Sequence, residues 1–225
     1  MPDNEPSFSG TEPTPGRRGR TAKPKRGTSP DKRERILRAA IKVFARKGFF
    51  AARVSEIAKA AGVADGTIYL YFKNKDDVLV SLFDDRMRKL LAALREEAAR
   101  DDTTERKLTR IIELQLGLLE GHRDLAEVIT VNLRQSTRLL KQYAAPLFVE
   151  YLEVIASVVA EGQRTGAIRD DIHPLVAARA LWGALDGIAL TWALGGAEPG
   201  GLTRAARELA TTLLDGMRKR PATGA

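Results

Sequence analysis

Apolar residues along this chain recur every three or four positions, and no stretch sustains an alternation of two. Ile36, Ala40, Val43 and Phe44 fall on one helical face, and Gly48 stands where that helix must end. Ser29-Pro30-Asp31 supplies its start: a capping hydroxyl, a proline in the first turn and an acid near the positive helix end. Ile57 and Ala61 mark a second, shorter helix that Ser55 can cap and Gly62 stops, since glycine enters the left-handed conformation at little cost. A third short helix is predicted over 65–72. Asn74 caps a long one, with Asp76 and Asp77 in its first turn and Leu79, Phe83, Met87, Leu90 and Leu94 on its stripe, broken at Asp101-Asp102. Leu108, Ile111, Ile112, Leu116 and Leu119 mark the next, from Thr103 or Thr104 to Gly121. Leu125, Val128, Ile129 and Leu133 mark another. Leu147, Tyr151, Ile155, Val158 and Val159 mark one that ends near Gly166. Pro174 opens a helix through Leu194, stopped by Gly195-Gly196, and the last spans Leu202 to about Arg218. The predicted fold is all-α, about nine helices, without a sheet.

The stretch from Val54 to Lys75 carries the most information. Two short helices, a tight glycine turn and the small residues Ala58, Ala61 and Ala64 at the crossing predict a helix-turn-helix. Asp65, Gly66 and Thr67 are short enough to let the second helix approach base edges. Tyr69 and Tyr71 carry hydroxyls suited to phosphates, and Lys73 and Lys75 follow. Ser55, Asp65, Gly66, Thr67, Tyr69, Tyr71, Lys73 and Lys75 are therefore the candidate DNA-binding residues. The bland alternative is an ordinary helical hairpin with a tyrosine-rich face.

Charge weakens that alternative. The net charge is +8; residues 1–75 hold 17 Lys and Arg against 7 Asp and Glu, and residues 76–225 hold 20 against 22. The whole basic excess lies around the helix-turn-helix, as a nucleic-acid-facing module requires. Residues 1–28 contain five of the ten prolines and the cluster Arg17, Arg18, Arg20, Lys23, Lys25 and Arg26. That composition predicts a disordered basic arm, either a solubilising tail or a segment that follows the DNA. The expected organisation is an arm (1–28), a DNA-binding domain (29–75) and a larger helical domain (76–220).

Ile36-Leu-Arg-Ala-Ala40, Phe44-Ala-Arg-Lys-Gly48, Ile57-Ala-Lys-Ala-Ala-Gly-Val63, Gly66-Thr-Ile-Tyr69 and Tyr71-Phe-Lys-Asn-Lys75 resemble the N-terminal signature of the TetR family of transcriptional repressors. The likeness covers 30 to about 80. It implies an all-helical homodimer with a variable ligand-binding domain, released from DNA by ligand, and puts Thr67, Tyr69, Tyr71 and Lys75 at positions that commonly meet DNA. The family usually has Ser or Thr just before the reading helix. This chain has Ala64 there, with Asp65 as the substitute cap.

In the larger domain Phe83, Met87, Ile111, Leu118, Val128, Ile129, Leu133, Phe148, Tyr151, Leu152, Trp182 and Trp192 are candidates to line a cavity; core packing is the alternative for each. Arg134, Arg138 and Lys141, spaced i, i+4, i+7, share a helical face that suits an anionic head group or is simply solvated. Gly62 to Lys75, Leu133-Arg-Gln-Ser136 and Asp186 with Thr191-Trp192 resemble the TetR-type repressors of fatty-acid degradation. That likeness implies long-chain acyl-CoA as effector, its tail among the apolar residues and its phosphates near Arg134 or its neighbours. Ala180, Gly183, Ala184 and Gly187 allow close approach of two helices; the family likeness makes them a dimer interface rather than internal packing.

Other functions fare worse. The chain has no cysteine, and its two histidines, His122 and His173, lie far apart, so no metal or cofactor is expected. No phosphate loop or nucleophile–base set is visible, and the Asp-Asp pairs read as caps or solvated charge, which argues against an enzyme. Arg179 and Asp186 interrupt the apolar run 175–194, so a buried helix is expected there rather than a membrane span, in a cytoplasmic protein. The remaining rivals are an efflux-pump regulator sensing another hydrophobic ligand and a sequence-neutral DNA packer.

Overall fold

A computed structural model describes residues 29–132 and 145–219. The basic arm (1–28), the cationic row of Arg134, Arg138 and Lys141, and Leu133 lie outside the described residues. Nine α-helices occur among those described: α1 (Ser29–Ala51), α2 (Val54–Ala61), α3 (Asp65–Ile68), α4 (Lys75–Ala98), α5 (Thr104–Gly117), α6 (Arg123–Glu127), α7 (Ala145–Thr165), α8 (Pro174–Leu194) and α9 (Gly201–Met217). A π-helical turn, Val128–Asn132, continues α6. The one extended pairing among the described residues is an isolated bridge between Ile168 and Arg218.

The helices form a head and a body, each with its own core. In the head, Ile36, Leu37, Ala40 and Phe44 of α1 meet Ile57, Ala58 and Ala61 of α2, Ile68 of α3 and Phe72. In the body, α5 and α7–α9 pack Leu108, Ile111, Ile112, Ile155, Val158, Leu181, Leu202 and Ala206. Each of the larger of these side chains contributes roughly 1.5–3 kcal/mol by leaving water. Helix α4 serves both cores: Val78, Leu79 and Leu82 belong to the head, Leu91 and Leu94 to the body. The α6–π segment also reaches the head, where Val128 joins its core.

Local signals explain the boundaries. Gly48 (φ 73°, ψ 161°) breaks α1 as predicted, but one further turn follows it, and Phe49 packs on Phe44 with ring centroids 5.6 Å apart. Asn74 caps α4 through its Oδ1, which accepts from the Asp77 N–H at 2.8 Å, and Thr103 caps α5. His173 proves to be a cap: its Nδ1 accepts the Leu175 N–H at the start of α8. Two boundary expectations need correction. Ser55 does not cap α2. Arg53 is the capping residue, its N–H donating to the Glu56 carboxylate (3.1 Å), and Ser55 is exposed inside the helix. The third helix does not reach 72. It ends at Ile68, and both Tyr71 and Phe72 donate N–H groups to the Ile68 carbonyl, so a tight turn drops Phe72 into the core.

Candidate DNA-reading face and effector cavity

The turn between α2 and α3 is built as the sequence requires. Gly62 is left-handed (φ 64°, ψ 41°), its N–H bonds the Lys59 carbonyl, and the next N–H, of Val63, returns to Ala58. Such a hydrogen-bonded stop fixes the angle between the two helices. Ile68 is buried beneath α3, so the opposite face points outward. On it Asp65, Gly66, Tyr69 and Lys73 are exposed, while Thr67 and Tyr71 are half-buried. A side chain at Gly66 would meet nothing within 4 Å, so that side of α3 is open to a partner. Asp65 stands at the first helical position, but no side-chain hydrogen bond caps α3. The face also presents Leu70, 81% exposed, which the sequence reading passed over.

Lys75 opens α4, as the sequence predicts, and also makes contacts the sequence does not show. Its ammonium donates to the carbonyls of Phe50 and Ala52, both at 2.9 Å, and lies 4.7 Å from the centre of the Phe49 ring. It clasps the C-terminal end of α1, and two of its three N–H donors are spent there. Lys47 makes a second tie across the head, to Glu56. Donation from Lys47 holds the Glu56 carboxyl below its ordinary value of 4.5, helped by the Arg53 N–H.

Directly beneath the head lies a cavity of about 920 Å³. Packed interiors hold few voids larger than a water. This one is far larger than the space one water needs and opens to solvent on one side, so it is a pocket and not a packing fault. Phe83, Met87, Leu90 and Ala93 of α4, Leu114 and Leu118, Ile129, Phe148, and Trp182, Leu185 and Ala189 of α8 make an apolar wall. Phe148 stacks on Tyr151 (centroids 5.9 Å apart) and meets Trp182 edge-on at 4.8 Å, which stiffens one side. A polar ledge interrupts the wall. The Tyr151 hydroxyl donates to Gln115 Oε1 at 2.6 Å, near Asp186, and burial pushes this phenol's pKa up. The exposed lining residues are Arg38, Lys42 and Lys89 at the α1–α4 seam and Leu118 with 121–124 after α5, so the mouth lies there.

Seven of the proposed ligand residues line this cavity: Phe83, Met87, Leu118, Ile129, Phe148, Tyr151 and Trp182. Four described ones do not. Ile111 is fully buried in the body core and Val128 in the head core, each facing a neighbouring helix instead of the void. Leu152 and Trp192 also lie elsewhere; the Trp192 indole N–H donates to the Glu198 carbonyl. Leu133, Arg134 and Arg138 fall outside the described residues. Arg38, Lys42, Arg86 and Lys89 also line the cavity and are not among the residues singled out from the sequence. Their spacing, i, i+4 on α1 and i, i+3 on α4, was a detectable signal.

Helix α8 is long and apolar enough to cross a membrane by length and composition. Its inner face is buried: Ala177, Ala178, Leu181, Leu185 and Ala189 belong to the body core, and Ala193 continues the buried stripe. The outer face presents Val176, Ala180, Gly183 and Leu194, with Ala184 and Gly187 half-buried beside them. Side chains built at Gly183 or Gly187 would meet nothing within 4 Å.

Comparison with known proteins agrees with this geometry. Residues 36–82 match the bacterial regulatory proteins of the tetR family, and 83–214 match the C-terminal region of YsiA-like proteins. The fatty acid metabolism regulator protein of Bacillus subtilis is 38% identical over 159 residues, 71% of this chain and 82% of that protein. The solved structure of FadR from Bacillus subtilis in complex with stearoyl-CoA superposes with a TM-score of 0.76 at 34% identity, covering 82% of this chain and 99% of that one. The fatty acid degradation regulator FadR from Bacillus halodurans gives the same TM-score, identity and coverage. This chain belongs to the tetR family of bacterial transcription regulators, with a helix-turn-helix DNA-binding head, and is related to the regulators of fatty acid metabolism.

Proposed function

We propose that this regulator represses genes of fatty-acid metabolism as a homodimer in the cytoplasm, and that long-chain acyl-CoA releases it from its operator. The observation that carries the reading is the chamber itself: an apolar hollow under the reading head, with cations where α1 and α4 meet. Such a hollow suits an oily chain with an anionic head, and a relative of the same fold holds stearoyl-CoA. The outer face of α8, with Gly183 and Gly187 open to close approach, pairs two copies. Two heads about 34–36 Å apart then read a two-fold symmetric site. On this reading Thr67, Tyr69 and Tyr71 meet DNA, and the protein carries out no catalysis.

A mobility-shift titration tests it. An operator fragment, selected from genomic DNA by the purified protein, is held by the ligand-free dimer and released by palmitoyl-CoA, but not by equal concentrations of palmitate or CoA. Release by a hydrophobic cation and not by palmitoyl-CoA would replace this reading with the efflux-pump alternative, for which Asp186 at the cavity wall is the supporting residue. Tyr69→Phe weakens operator binding and spares the response to palmitoyl-CoA.

A further inference from the structure

The mouth of the chamber carries a second, more specific message. Four cations gather where the first helix of the head lies over α4: Arg38 and Lys42 from α1, Arg86 and Lys89 from α4, all lining the cavity. Two acids oppose them. Glu34 Oε1 lies 3.2 Å from Arg86 Nη2 and 3.8 Å from Arg38 Nε, and Asp85 Oδ2 lies 2.9 Å from Lys89 Nζ and 3.8 Å from Arg86 Nη1. The cluster is therefore unbalanced toward positive charge. It is also unsaturated. The Lys42 ammonium has no ion pair among the described residues, and Arg86 Nε is buried without a hydrogen-bond partner. A buried N–H with no acceptor, at the rim of a large hollow and among excess cations, is the arrangement an oxyanion completes.

We propose that this seam is the docking site for the phosphates of an acyl-CoA nucleotide head, so that the effector is held jointly by the DNA-binding head and the body. The inference rests on the acyl-CoA reading above and deepens it. It assigns the polar half of the ligand to Arg38, Lys42, Arg86 and Lys89, a site that straddles both domains. The Arg86 guanidinium offers a planar fork that can exchange the Glu34 carboxylate for a phosphate. Lys42 and Lys89 act as movable point charges on either side. A phosphate seated there stands beside Glu34, which belongs to α1, and repels it.

Direct binding without DNA tests the assignment. The probes are palmitoyl-CoA and palmitoyl N-acetylcysteamine thioester, which keeps the chain and thioester but lacks every phosphate. Arg38 and Lys42 are exposed, so the double substitution Arg38→Ala, Lys42→Ala leaves both cores intact. The variant should bind palmitoyl-CoA roughly 10–100-fold more weakly, the loss expected for two solvent-exposed ionic contacts, and the phosphate-free thioester unchanged. Wild-type affinity for palmitoyl-CoA should also fall steeply with added salt while that for the phosphate-free thioester does not. A double variant that binds palmitoyl-CoA like wild type overturns the inference and leaves the acyl-CoA reading standing. An equal loss for both probes overturns it too, by showing a packing role. If neither thioester binds wild type, the acyl-CoA reading fails and this assignment with it.

Discussion

Shortening the acyl chain separates the two halves of the chamber. The wall facing the chain is apolar and aromatic, and chain carbons inserted among Phe83, Met87, Phe148 and Trp182 exchange water for apolar contacts. Burial of a methylene is worth about 0.8 kcal/mol, so each step from palmitoyl- to myristoyl- to lauroyl-CoA should cost about 1.6 kcal/mol, or roughly 15-fold in affinity. The steps should stay equal while the shorter chain still lies within the hollow. Titration calorimetry or tryptophan fluorescence measures the ladder directly, since Trp182 stands in the wall. Repeating it at several salt concentrations adds the discriminating control. The slope per carbon reports apolar burial and should not change with salt, whereas the offset common to all chain lengths reports the phosphates and should shift. A flat ladder would sink the reasoning, because it would mean that the chain lies outside the hollow.

Three further outcomes follow from named contacts. Gly183→Glu places a charge on the outer face of α8 where the protomer itself offers no obstruction; sedimentation should show monomers with unchanged helicity, and an intact dimer would remove α8 from the interface. Lys75→Met strips two carbonyls of their donor and should lower the stability of the head by about 2 kcal/mol in thermal unfolding, at roughly 1 kcal/mol per hydrogen bond, before any effect on DNA is considered. Glu56 has a folded pKa lowered by Lys47, so its contribution is present above the ordinary value of 4.5 and disappears as pH falls through the lower folded value. Glu56→Gln should flatten that part of the acid-unfolding profile while leaving stability at neutral pH less changed than any core substitution.

Much of the architecture was written in short-range signals. Gly62, Asn74, Thr103, Gly166 and Pro174 each do locally what their chemistry predicts, and the stripes they bound became the cores. The errors share a cause. Periodicity says that Ile111 and Val128 point inward, but not whether a helix or a hollow faces them; that depends on the shape of the gap between helices. Ser55 looked like a cap because only identity is visible in sequence, while the competing Arg53–Glu56 exchange needs the backbone entry angle. Lys75 stands as a DNA candidate by its place just after the reading helix, and its tie to α1 is an additional contact that the sequence does not show. Only the fold brings the carbonyls of Phe50 and Ala52 to its ammonium across more than twenty residues. The pairs Arg38/Lys42 and Arg86/Lys89 are each legible on their own helix, but their meeting at one seam is not, since α1 and α4 supply them from stretches more than forty residues apart.

That seam explains why an effector site beside the reading head is effective. An effector changes operator affinity only to the extent that it binds the two states differently, and the operator-bound state must refuse it by the same factor. Burial of the acyl chain is the larger energy, but if the hollow keeps its shape that energy is equal in both states and shifts nothing. The smaller polar term is the one that can differ. Arg86 is only 25% exposed, so its contact with Glu34 is weakly screened. A charge-assisted hydrogen bond is worth roughly 1.5–3 kcal/mol, and a hundredfold loss of operator affinity needs about 2.7 kcal/mol. On the proposed reading, the coupling is the difference between the phosphate's hold on Arg86 in the free protein and in the operator-bound head, and a difference of about 1.4 kcal/mol in each protomer would meet that requirement without any large rearrangement of the body. The chain then sets how tightly the effector is held, and the seam sets how much the DNA feels it.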